Sequence, residues 1–276
     1  MAFLLATQRC YAIIAANINR NLEVKMSKLN KDYVLYTFAI MLFCWGACVV
    51  CSLNGISLDK NYLLYIPYLL GGWSPTIASF IALKKNKEVS SLKEWLKNIF
   101  DFKHNIFSYS LVLVLVILFF LPQCLISGYE SGAPLFAVIV MIPMMIFAGG
   151  LEEAGWRYIL QPELEKKCSF ILSTIIVSVV WWLWHMPLFF IKGVAQYGQD
   201  YLAFGLNVLG LSFALANIRK NTGSVWLCVL FHCIINSLSG VYIVNGNIWG
   251  NIAAAIILVL FSYAMTKINS IKKIFS

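Results

Sequence analysis

The sequence predicts an all-α fold, a polytopic membrane helix bundle of about eight transmembrane helices with both termini in the cytoplasm. Three observations carry that reading. The 276 residues are 61% hydrophobic and only 12% charged, with a mean hydropathy of +0.79, whereas soluble domains carry roughly 25% charge. Apolar stretches near the ~20 residues that a span requires recur at 33–53, 62–83, 106–127, 134–162, 169–191, 199–217, 223–244 and 248–267. Assigning Lys and Arg to alternate sides of those stretches puts nineteen on one side and only Lys60 and Lys192 on the other. Such a bias marks the richer side as cytoplasmic. The formal charge of +9 is therefore a topology signal. Nucleic acid is excluded as a partner, because the basic residues sit in short clusters between apolar runs.

Taken in order, residues 1–32 form a cytoplasmic tail. Residues 1–25 lack the apolar core and cleavage site of a signal peptide and stand as an extension ahead of Met26, itself a natural start. Residues 33–267 form a single membrane domain with no internal repeat, and 268–276 a second cytoplasmic tail. In the second span, Gly71-Gly72-Trp73-Ser74-Pro75 is expected to break the helix near its middle, leaving backbone groups that neighbouring helices or water must satisfy. Between the second and third spans, Leu92, Trp95, Leu96, Ile99 and Phe100 recur at helical spacing opposite lysines. That pattern predicts an amphipathic helix on the inner membrane surface. Cys44, Cys48, Cys51, Cys124, Cys228 and Cys233 fall inside apolar runs without a disulfide-like framework and read as packing residues.

The fourth span carries the anomaly. Glu152, Glu153 and Arg157 interrupt it, and an ionisable group at membrane depth costs at least ~2.5 kcal/mol, which marks a functional site or a compensated pair. Glu153 and Arg157 are four residues apart and can pair, while Glu152 points about 100° away. His185 and His232 also lie in apolar segments, the latter with Asn236 one turn further on. The basic turn Lys166-Lys167-Cys168-Ser169 is midway between Glu152 and His185, so an antiparallel hairpin brings these two to the same height, roughly 24 Å from that turn. A carboxylate and a neutral imidazole converging on one water make a general base. A second His with Asn supplies donors for an oxyanion. No serine or cysteine stands as a nucleophile and no GxSxG elbow occurs, so the chemistry suggested is hydrolysis by activated water.

These residues carry a resemblance. Glu152-Glu153-x-x-x-Arg157, Trp181-x-x-x-His185 and His232-x-x-x-Asn236 resemble the three ordered motifs of the CPBP family (CAAX protease and bacteriocin-processing, or Abi), which are intramembrane glutamic endopeptidases. The resemblance implies Glu152 as the water-activating carboxylate with His185, His232 and Asn236 as oxyanion-stabilising or positioning groups, and Glu153 with Arg157 as a supporting pair. Trp181 and Trp156 are expected in the substrate pocket. Trp181 replaces the Phe common in the second motif, a change expected to act on pocket shape more than on chemistry. The family includes eukaryotic enzymes that remove the last three residues of prenylated CaaX proteins, and prokaryotic members linked to peptide maturation or bacteriocin self-immunity. A compact chain without appended domains points to the bacterial type, in the plasma membrane.

The partners so implied are a peptide or protein substrate, which can carry a lipid, and the membrane lipids. Its cavity is expected to be reached from the cytoplasmic side or from the membrane. No cofactor is needed. Three rival readings remain open. Glu152, His185 and His232 could bind Zn²⁺, since two imidazoles and a carboxylate with an open position form a catalytic set, although HExxH spacing is absent. A non-catalytic immunity or scaffold protein could bind a peptide or membrane partner through the same cavity. A proton-coupled transporter would also use intramembrane Glu and His, but no repeat supports it.

Overall fold

The computed structural model describes residues 26–245 and 247–275. The extension ahead of Met26, with Arg9, Arg20 and Lys25, lies outside the described residues. Helix α1 (Lys28–Leu53) is followed by α2 (Tyr65–Gly72), α3 (Ser74–Lys85), the short α4 (Leu92–Ile99) and α5 (Ile106–Ser127). Then come α6 (Ala137–Phe147), α7 (Gly150–Glu165), α8 (Phe170–His185), α9 (Tyr201–Thr222), α10 (Val225–Ser239) and α11 (Ile248–Phe275). Among the described residues five helices are continuous and apolar enough to cross a membrane, and two bent pairs raise this to seven. The remaining apolar segment, α10, is 15 residues long, short of the ~20 that a span needs. All eight expected stretches are thus helical, five to seven of them as membrane-length spans. The protein is a multi-pass integral membrane protein.

Polar caps set the helix starts. Ser27, Ser91, Asn105, Ser169, Asp200 and Ser224 each accept a backbone N–H from the first turn that follows, satisfying donors that lipid could not. Outward faces are apolar: Phe43, Phe107, Leu125 and Ile139 are 82%, 80%, 76% and 76% exposed, as lipid-facing residues should be. Inside, Tyr33, Trp156, Trp184 and Trp45 form a continuous aromatic chain with centroid separations of 5.6, 6.0 and 4.6 Å.

The second span bends by 46° at Trp73, where Gly71-Gly72-Trp73-Ser74-Pro75 was expected to break it. A Cβ on Gly71 would fall 2.3 Å from the Trp45 ring, so glycine lets Trp45 lie across the backbone and donate to Tyr68 O at 2.8 Å. The amphipathic helix forms as α4, but Trp95 and Ile99 are buried against protein, with Trp95 Nε1 donating to Ser79 Oγ at 3.1 Å. Leu92 and Leu96 keep the exposed side.

The interhelical connections fall into two groups. On the lysine-rich side, Lys85 pairs with Asp32 (3.0 Å) and Lys220 with Glu165 (2.8 Å), and Asn98 donates to Tyr158 Oη (2.9 Å). On the other, Leu58 N donates to Lys192 O (2.9 Å) and Lys192 N to Ser52 Oγ (3.0 Å). There also β1 (Tyr129–Ser131) pairs antiparallel with β2 (Tyr242–Val244), Glu130 opposite Ile243, a small ribbon that no apolar periodicity announced.

Candidate active site

The fourth span, expected as one helix over 134–162, is broken. Helices α6 and α7 meet at 41° around Ala148 and Gly149. Gly149 has φ +143°, a conformation that L side chains rarely adopt. A Cβ there would lie 2.6 Å from Asn236 Nδ2 and 3.2 Å from His232 Nε2, and one on Gly150 would lie 2.5 Å from Cys233 Sγ. The glycine pair therefore opens the helix and lets α10 approach it. Carbonyls freed by the break find donors on other helices: Phe147 O from Trp73 Nε1 (2.7 Å), Leu151 O from Thr76 Oγ1 (2.9 Å), and Ala148 O from Asn236 Nδ2 in a long contact of 3.5 Å. Non-helical backbone survives at membrane depth only where protein satisfies it in this way. Beyond the break the chain makes a 3₁₀ turn, Gly150–Glu152, and a π-helical turn, Trp156–Leu160, an irregularity frequent at functional sites.

Glu153 and Arg157 pair at 3.1 Å, both wholly buried. Arg157 also donates from Nη1 to Gln161 Oε1 (3.1 Å) and from Nη2 to Ser212 Oγ (3.2 Å), and its guanidinium lies 5.8 Å over the Trp181 ring. The second oxygen of Glu153 takes a partner that helical spacing could not reveal, His232 Nδ1 at 2.9 Å. A carboxylate accepts, so Nδ1 carries the hydrogen and Nε2 is the nitrogen beside Asn236 Nδ2 at Gly149. Glu153 thus orients the second histidine as well as anchoring the arginine.

Glu152 has a different environment. Its Oε2 accepts the indole N–H of Trp181 at 2.9 Å. Trp181 therefore touches the carboxylate directly, a contact that Phe at this position could not make. His185 Nδ1 is 2.8 Å from Trp181 O; a carbonyl only accepts, so Nδ1 donates and Nε2 keeps its lone pair. The His185 ring is held edge-on by Trp184 (4.6 Å) and Phe204 (5.0 Å).

Glu152, His185, His232, Asn236 and Trp181 all line one cavity of about 230 Å³. Trp156 does not line it: it is fully buried behind the wall, edge-on to Tyr33 and Trp184. A small-residue neighbour, Gly155, sets that position, since a Cβ there would meet Tyr33 Oη at 2.1 Å. The cavity adds residues that motif reading missed, among them Trp73, Gln196 and Asn207. Asn207 Oδ1 is buried without a hydrogen-bond partner. Its signal in the sequence was a lone amide between Leu206 and Val208 in an apolar run. Among the described residues no group of three or more His, Cys, Asp or Glu side chains is arranged to hold a metal ion.

Residues 134–238, which contain all three motifs, match the family described as type II CAAX prenyl endopeptidase Rce1-like. The chain is also similar to CAAX prenyl protease 2 of Methanococcus maripaludis, at 26% identity over 227 residues, covering 75% of this chain and 82% of that protein. Broken-helix carboxylates, two oriented histidines and these matches converge on a likeness to the CAAX-type proteases of the CPBP family.

Proposed function

We propose that the protein is an endopeptidase that cuts a peptide bond with water activated by Glu152 and His185. The observation that carries this reading is the convergence of Glu152, His185, His232 and Asn236, from three helices, on one cavity. A water between Glu152 and His185 gives one proton to the carboxylate, while the O–H it keeps donates a hydrogen bond to the His185 Nε2 lone pair, so the hydroxide is generated facing the substrate carbonyl. The developing oxyanion takes hydrogen bonds from Asn236 Nδ2 and protonated His232 Nε2, which Glu153 supports from behind. The proton on Glu152 then passes to the leaving amine as the tetrahedral intermediate collapses. Because Arg157 compensates Glu153, that second carboxylate is not a second free charge beside Glu152.

The scheme uses no metal. Its substrate is a peptide or protein, with or without a lipid, and its setting is the bacterial plasma membrane. The test is cleavage of a panel of internally quenched peptides, prenylated and unprenylated, by detergent-purified protein with and without chelator, for wild type and Glu152→Gln. Chelator-resistant cleavage that the substitution abolishes is expected. Cleavage that chelator abolishes and Zn²⁺ restores would overturn the metal-free mechanism, and cleavage that survives Glu152→Gln would remove Glu152 from its role.

A further inference from the structure

The cavity is lined from the lysine-poor end of the bundle. The connections that pack together at one end of the bundle, 54–61 with 191–200 and 128–136 with 240–245, carry only Lys60 and Lys192 of the chain's 21 Lys and Arg. At the opposite end lie Lys28, Lys31, Lys84, Lys85, Lys87, Lys166, Lys167, Arg219 and Lys220, bridged to one another's helices by the Lys85–Asp32 and Lys220–Glu165 pairs. The structure therefore groups the ends as the alternation of charge does, and the lysine-rich end faces the cytoplasm.

The cavity reaches the other end. Gln196, in the connection between α8 and α9, contributes to its wall, and no residue of the lysine-rich connections does. Along α9 the lining residues Phe204, Asn207 and Leu211 stand about 4, 9 and 15 Å from Tyr201. Asn207 is about 22 Å from Thr222 at the lysine-rich end. His185 closes α8, about 22 Å from Phe170, and the chain leaves for the Gln196 connection five residues later. In a hydrocarbon layer of about 30 Å, Asn207 and His185 stand in the leaflet away from the cytoplasm.

We infer that the cavity receives its substrate from the non-cytoplasmic face, so that the substrate class is an exported peptide, or the outer juxtamembrane segment of a membrane protein, rather than a cytoplasmic C-terminus. This inference rests on the endopeptidase reading for the word substrate, but not for the direction of entry. Gln196, Asn207 and Asn236 supply amide groups along the path inward, and the unpartnered Asn207 Oδ1 is an acceptor for a backbone N–H of an extended peptide.

Two measurements test it separately from catalysis. Right-side-out and inside-out vesicles of expressing cells are given a charged, membrane-impermeant quenched peptide that the detergent-solubilised enzyme cleaves. Right-side-out vesicles are expected to cleave it directly, and inside-out vesicles only after permeabilisation; the reverse pattern overturns the inference. Independently, intact cells carrying Gln196→Cys, or Gln199→Cys in the same connection, are treated with an impermeant maleimide and the labels located by mass spectrometry. The introduced thiol is expected to react from outside while native Cys168, beside Lys166 and Lys167, reacts only after permeabilisation. Labelling of Cys168 alone from outside overturns the inference. If no peptide is cleaved even in detergent, the endopeptidase reading fails, and the maleimide result still decides which face the cavity opens to.

Discussion

Arg157 offers a direct measure of how the site is held. It is wholly buried and bonded to Glu153, Gln161 and Ser212 at 3.1, 3.1 and 3.2 Å. Arg157→Met keeps most of the volume but leaves Glu153 charged, with only His232 at 2.9 Å facing it. Breaking a buried pair by removing one partner costs about 3–5 kcal/mol, because the other charge stays desolvated. Hydrogen bonds to charged groups at ~1.5–3 kcal/mol each would sum to more. The excess is offset because a guanidinium no longer has to be taken out of water. Removing both charges in Arg157→Met/Glu153→Gln should therefore recover about 2–3 kcal/mol relative to the single variant. Cleavage should be lost in the double variant, since His232 no longer has its carboxylate. Unfolding in mixed micelles titrated with SDS, followed by near-UV circular dichroism, reads the stabilities, and the quenched-peptide assay reads activity. A single variant within about 0.5 kcal/mol of wild type, or a double variant no more stable than the single, would refute the argument.

Further outcomes follow from the same contacts. Gly149→Ala puts a Cβ 2.6 Å from Asn236 Nδ2 at φ +143°, so it should lose about 1–3 kcal/mol of stability and most activity; normal turnover would show that the helix break can relax. Trp181→Phe removes the 2.9 Å donor to Glu152 and should lower kcat about tenfold or more, the equivalent of a hydrogen bond to a charged group, with KM little changed; a change confined to KM would return Trp181 to a shape role. Thr76→Val leaves Leu151 O without its 2.9 Å donor and should cost about 1–3 kcal/mol in the SDS titration, with any activity loss following stability; an unchanged midpoint would mean that water replaces the hydroxyl.

What could be read from the chain alone followed from the solvent. Hydrocarbon demands long apolar segments and tolerates charge only where it is compensated, so the eight helical stretches and the anomaly at Glu152, Glu153 and Arg157 stood out. Helical spacing likewise sufficed for the Glu153–Arg157 pair, four residues apart, and for His232 and Asn236 on one face. The bend at Trp73 was announced by Gly, Gly and Pro together. The break at Gly149 was not, because two glycines without proline are compatible with a membrane helix, and it is the approach of Cys233, His232 and Asn236 that requires them.

Composition and periodicity determined that this is a helical membrane protein with a charged core in its fourth span and an excess of lysine on one side of its spans. Only the tertiary structure decided that Glu153 is shared between Arg157 and His232, 79 residues away, that Trp181 holds Glu152 while Trp156 stands behind the wall, and that Gln196 joins the cavity wall. The physical reason is the same for all three. Contacts within a helix repeat with the 3.6-residue period that a sequence displays, whereas contacts between helices depend on crossing angle and rotation, which the packing of the whole bundle sets.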